Sequence, residues 1–360
     1  MIEIFNKIDR LEGIDMPLIK PAALKPGDKV ATISLSWGGA GDRDIIWRYN
    51  IGKKRLEEEF GLQVVEMPNT LKGTEFIYNN PKKRAEDLMM AFKDESIKGI
   101  FSCIGGSESI RILPYIDLDV IRNNPKVFIG YSDTTITHMI CYKAGLSSFY
   151  GPSILCEFAE NVSMHDYTKL WINKVLFNNG VIGSISASEV WTSELVPWEE
   201  KNKNISRKLE KNQGYELLQG KGKIQGRLIG GCIEVLEMMK GTELWPSIDE
   251  FENGILFLET SEDKPDPALV ECWIRSYGTL GILNKINGIV FAKPYDDCYY
   301  DEYKEAILTV VRNELKLKDL PILYNVNFGH TSPMCILPYG ALAEINCEDV
   351  SFSILEPGVI

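Results

Sequence analysis

A serine set between a buried strand and a helix can present its hydroxyl as a nucleophile. Gly130-Tyr131-Ser132-Asp133-Thr134 has that setting, directly after the apolar run Val127-Phe128-Ile129. Gly130 suits a sharp turn two residues before the serine, whereas Thr134 stands where the G-x-S-x-G pattern has its second glycine. The match is partial, and the same residues suit a plainer task, with Ser132 or Asp133 capping the following helix. A serine needs a base near neutral pH, and the chain offers three histidines. His138 lies six residues further along the same helix, about 240° around it, and so points elsewhere. His165 sits in the polar stretch NVSMHDY, with nothing catalytic around it. His330 follows the run ILYNVNF in the loop Phe328-Gly329-His330-Thr331, where a strand end can face a cleft. A carboxylate able to orient the imidazole is Glu259, which closes the apolar run from Ile255 to Leu258. Each residue alone has an ordinary structural explanation; serine, glutamate and histidine on three separate strand ends together suit acyl transfer.

The segment Cys103-Ile104-Gly105-Gly106-Ser107-Glu108-Ser109 follows the preceding strand and offers free backbone N–H groups, suited to a phosphate or a developing oxyanion. Neither the G-x-G-x-x-G dinucleotide fingerprint nor the G-K-[ST] of a phosphate-binding loop is present. Ser107 and Ser109 are rival nucleophiles that lack the strand-Gly-x-Ser arrangement.

These residues need a scaffold that brings strand ends together. DKVATISLS, LQVVEMP, IKGIFSC and KVFIG read as strands, and IIWRYNIGKKRLEEEF, PKKRAEDLMMAFK and TITHMICYKAG as the helices between them. That alternation predicts βαβ units and a parallel sheet. GKIQGRLIGGC, GILFLET, INGIVFAKP and LPILYNVNF supply further strands, separated by the helical PALVECWIRSYGTLGIL and YKEAILTVVRNEL, so a second α/β unit is expected. Between the two lies a stretch rich in charge, with Trp191, Trp198 and WEEKNKNISRKLEKNQG, which reads as a solvated linker. The resulting division is an N-terminal domain over 1–165, a linker or insertion over 166–222, and a C-terminal domain over 223–360.

Composition narrows the function. With 360 residues, 44% hydrophobic and 25% charged, the chain is globular and large enough for two cores. Lys+Arg of 39 against Asp+Glu of 51 gives a net charge of −12, which opposes binding to nucleic acid or an anionic membrane. No run approaches the roughly 20 apolar residues of a membrane span. The N-terminus lacks a basic-then-apolar export pattern, and the eight cysteines are scattered with no Cys-x-x-Cys, so a cytoplasmic protein with reduced thiols is expected. No histidine stands near a second ligand at metal spacing; neither a metal nor a cofactor is expected.

Taken together, CIGGSESIRILPYID, FIGYSDTTITH, FYGPS, QGRLIGGCIEVL, ILFLETSE and NFGHTSP resemble, in order, the segments of peptidase family S66, the LD-carboxypeptidases and microcin C resistance peptidases. The resemblance implies an α/β fold with a flavodoxin-like or amidotransferase-like N-terminal domain, a smaller C-terminal β/α domain, and a homodimer. It implies a triad of Ser132, Glu259 and His330 assembled between the domains, with Gly106 and the Asp133 N–H as the oxyanion contacts. Within such a family the substrate is either a murein tetrapeptide losing its terminal D-alanine or a peptidyl or aminoacyl nucleotide cut at the amide. The long linker and the run LIGGCIEVLEMMKGTELWPS resemble the second branch. There an indole could stack on a purine, and Trp198 is preferred over Trp191 because it lies deeper in the linker. A reading of another class keeps the same residues: a non-catalytic module whose two units close on a small ligand and merely hydrogen-bond it.

Overall fold

The computed structural model describes residues 18–360; the first seventeen, on which much of the export reading rests, lie outside the described residues. Short apolar runs without alternation are strands with both faces covered, the condition of a parallel sheet. Lys29–Ile33, Gln63–Glu66, Ile97–Ser102, Val127–Gly130 and Phe149–Tyr150 pair in parallel. Across the sheet they stand in the chain order 2-1-3-4-5, the flavodoxin-like arrangement. Ligands in such sheets bind beyond the carboxyl ends where the order reverses, between the first and third strands. Those two strands lead into the segments holding Trp37 and Gly105-Gly106.

The helices read from the sequence form where their patterns put them. Pro81–Lys93 starts on a proline, whose missing N–H costs nothing at a first turn, and buries Ala85, Leu88, Met89 and Phe92 on one face.

The second sheet has eight strands, and its centre is again parallel: Lys223–Cys232, Ile255–Glu259, Gly288–Ala292 and Ile322–Val326. Leu342–Asn346 and Ser351–Ile354 add an antiparallel hairpin on one side. The segment expected as a linker over 166–222 is itself built into this unit. It holds the helix Asp166–Leu176, gives Gly183–Ile185 to one edge of the second sheet and Glu216–Gln219 to the other, and pairs Val190–Trp191 with Glu210–Lys211. Its charges conceal these strands, because edge strands keep one face in water and carry few apolar residues.

The chain also returns: Leu337–Pro338 crosses back to edge the first sheet, antiparallel to Phe149–Tyr150. Beside that crossing Tyr150, Phe257, Phe328 and Tyr339 pack as an aromatic knot, the Phe257 and Tyr339 rings 5.1 Å apart. Tyr339 Oη donates to the Gly230 carbonyl at 2.8 Å. The knot fixes the two units against each other with strand ends of both sheets converging. Among the described residues, no helix is long and apolar enough to cross a membrane, and none form a metal-ligating cluster.

Candidate active site

The chain leaves Gly130 extended, reaches Ser132 at φ 62°, and turns at once into the helix Thr135–Lys143. A positive φ on a non-glycine residue costs about 1–3 kcal/mol and persists only where its surroundings impose it. Here they do so in several ways. Ser132 N–H donates to Tyr150 Oη at 3.1 Å, and Thr135 Oγ1 donates to the Ser132 carbonyl at 2.7 Å. The buried Asp133 carboxylate accepts from the N–H groups of Glu108 at 3.0 Å and Ser109 at 2.8 Å, tying the glycine loop to the turn. A Cβ on Gly130 would lie 2.7 Å from Ser102 Cβ and 2.8 Å from Thr134 Cγ2, so only glycine fits. The capping alternative fails, since no side chain caps this turn or the helix after it. Ser132 Oγ instead faces His330.

Its distance to His330 Nε2 is 3.0 Å, and His330 Nδ1 lies 2.6 Å from Glu259 Oε2. Glu259 is 1% exposed at the end of its strand, and its other oxygen accepts from Tyr150 Oη at 2.5 Å. Burial pushes the Glu259 carboxyl above its ordinary range, against the pull of His330. Burial would lower the His330 pKa, but the carboxylates of Glu259 and Glu262 outweigh it and hold the imidazole well above the usual histidine value. Tyr131 packs edge-on against that ring, centroids 5.1 Å apart.

Of the two loop glycines, Gly105 makes the closer approach: a Cβ there would stand 2.8 Å from Ser132 Cβ and 3.0 Å from its Oγ. Gly106, with φ 137°, lies beside Ser36 and Trp37. Trp37 N–H donates to the Gly105 carbonyl at 3.1 Å. Trp198 stacks on Trp37 with centroids 6.3 Å apart, and the Arg48 guanidinium lies 4.5 Å from the Trp198 ring centroid. Trp198 thus reaches the serine's surroundings through Trp37 and the glycine loop. Trp191 is buried elsewhere, under the Lys293 ammonium at 4.0 Å.

The other histidines stay apart. His138 is buried between Ser148 Oγ and the Gly130 carbonyl, both at 2.8 Å, and burial lowers its pKa to about 3. His165 lies 3.4 Å from Glu160. Sequence reasoning gave no role to Tyr150, Glu262, Trp37 or Arg48. Both Tyr150 and Glu262 lie within segments that carry the family resemblance, the first in FYGPS and the second at the end of ILFLETSE.

A serine on a strained elbow, backed by histidine and carboxylate from a second α/β unit, is the site of a serine hydrolase. The LD-carboxypeptidase N-terminal domain of family S66 is matched over residues 30–151, and its C-terminal domain over residues 225–345. The chain belongs to peptidase family S66. It is 33% identical over 278 residues to the Microcin C7 self-immunity protein MccF of Escherichia coli, covering 76% of this chain and 78% of that one. An MccF-like protein from Streptococcus pneumoniae, solved in complex with AMP, superposes with a TM-score of 0.84 at 32% identity over 91% of this chain and 98% of its own. MccF in complex with aspartyl sulfamoyl adenosine superposes with a TM-score of 0.83 at 30% identity, covering 95% and 100%.

Proposed function

We propose that this protein hydrolyses the amide joining a C-terminal amino acid to a nucleotide moiety, with Ser132 as nucleophile, His330 as general base and Glu259 as its orienting carboxylate. The observation that carries the reading is the continuous line from Ser132 Oγ through both imidazole nitrogens to Glu259, at 3.0 and 2.6 Å. Neutral at Nε2, His330 takes the serine proton as Oγ attacks the carbonyl. The N–H groups of Gly106 and Asp133 receive the oxyanion. His330 then gives the proton to the leaving nitrogen, and water activated by the same nitrogen releases the acyl group.

The nucleotide half of the reading rests on the paired indoles of Trp37 and Trp198 beside Arg48, and on the adenosine ligands of the relatives. Flat apolar faces flanked by a guanidinium suit a base and an anionic linkage. Incubation with aspartyl sulfamoyl adenosine and with a murein tetrapeptide, read by mass spectrometry, tests the assignment. Cleavage of the tetrapeptide alone assigns the protein to cell-wall carboxypeptidase activity instead.

Trp198→Ala should lower kcat/KM for an adenosine-bearing amide by about 5- to 150-fold, the equivalent of ~1–3 kcal/mol of stacking. A base-free amide should be nearly indifferent. Equal losses on both would remove the stacking role.

A further inference from the structure

His330 has a second carboxylate partner. Glu262 Oε2 lies 3.0 Å from Nε2, the same nitrogen that stands 3.0 Å from Ser132 Oγ. The two carboxylates differ in setting: the Glu259 side chain is 1% exposed, that of Glu262 59%. Glu262 rides on a short loop held from both sides. Ser261 N–H donates to Glu234 Oε1 at 2.8 Å, and Lys264 pairs with Asp296 at 3.2 Å.

An imidazole nitrogen carries either one hydrogen or one lone pair. An ionised carboxylate 3.0 Å away favours the charged ring, so while Glu262 stays beside Nε2 that nitrogen keeps its hydrogen and cannot take the serine proton. Glu259, as a carboxylate accepting at both oxygens, likewise places a hydrogen on Nδ1. Bracketed in this way the ring is an imidazolium, and Ser132 has no base.

We propose that Glu262 is a displaceable clamp that keeps His330 protonated in the free enzyme and is pushed aside by a substrate occupying the leaving-group side of Nε2. Glu262 swings out as a carboxylate, the Nε2 proton passes to water, and the neutral nitrogen then serves Ser132. The inference rests on the triad reading given above. It makes Glu262 a positioning residue acting through His330.

The other titratable groups facing the imidazole are Tyr131 beside the serine, Tyr150, and Glu234 and Cys232 behind Glu259. All are acids, so each ionised neighbour favours the imidazolium. Glu262 is the member open to solvent, and its contact with His330 holds its carboxyl down to about 2.

The test is the pH dependence of Ser132 labelling by a fluorophosphonate, together with the NMR titration of the His330 ring nitrogens, which belong to one of only three histidines. In Glu262→Gln and Glu262→Ala, the acid limb of labelling and the His330 midpoint should both move down by about one pH unit, making labelling roughly tenfold faster below both midpoints. For wild type acting on aspartyl sulfamoyl adenosine, the acid limb of kcat/KM should lie above that of kcat, and the variants should bring the two together. Superimposable labelling profiles and an unmoved midpoint would overturn the clamp while leaving the triad intact. Wild-type enzyme not labelled at Ser132, or labelling that survives in Ser132→Ala, would instead overturn the triad reading, and the clamp with it.

Discussion

Ser132→Ala is expected to lower amide hydrolysis by on the order of 10^6-fold and to abolish fluorophosphonate labelling, with the folded state nearly unchanged. Removing one member of a unit that acts together costs almost as much as removing all of it, because the remaining members have nothing to deprotonate. Stability should shift by less than about 1 kcal/mol, since the lost hydroxyl is small and its partner His330 keeps two carboxylates. The elbow geometry adds a second arm. At φ 62° alanine keeps the backbone strain and glycine releases it, so Ser132→Gly should be equally inactive yet more stable than Ser132→Ala in denaturant unfolding. Near-native turnover in either variant would leave Ser132 as a turn residue and remove the proposed mechanism.

The readable parts of this chain were the interior ones. Ser132, Glu259 and His330 all follow runs of apolar residues at the ends of central strands, and such runs announce both the strand and the polar residue that breaks it. The helix bearing His138 was equally plain, and its rotation away from the serine is what the packing shows. The shortest strands were not readable: Phe149–Tyr150, Leu337–Pro338 and Gly183–Ile185 have two or three residues each. Their identity as strands comes from partners distant in the chain, not from any local period. The same reason hid Tyr150, whose hydroxyl meets Glu259 across 109 residues, and the Trp37–Trp198 pair. Glu262 was hidden differently. Its segment Ser261-Glu262-Asp263-Lys264 has the composition of any exposed turn, and only the fold brings one of its acids to the histidine.

Glu259→Gln should fold and bind substrate but lose about 10^4-fold in kcat, less than the serine variant and far more than an isosteric change would suggest. The reason lies in the hydrogen-bond chain through Tyr150. Tyr150 Oη accepts from Ser132 N–H at 3.1 Å and donates to Glu259 Oε1 at 2.5 Å, while Glu259 Oε2 takes the His330 Nδ1 hydrogen at 2.6 Å. A carboxylate satisfies both donors at once. An amide has one acceptor and one donating end, so either orientation leaves a conflict. If its oxygen faces Tyr150, the amide N–H points at Nδ1 and forces the hydrogen onto Nε2, where the ring can no longer take the serine proton. If its oxygen faces His330, the amide N–H points at a tyrosine oxygen that already accepts from Ser132, and the tyrosine hydrogen is stranded in a buried site. The first orientation costs the tautomer, the second costs burial energy, and neither stabilises the imidazolium of the transition state. Nitrogen chemical shifts of His330 in the variant separate them, because the Nε2–H tautomer marks the first. A variant within tenfold of wild-type kcat would mean that Glu259 neither orients nor charges the imidazole.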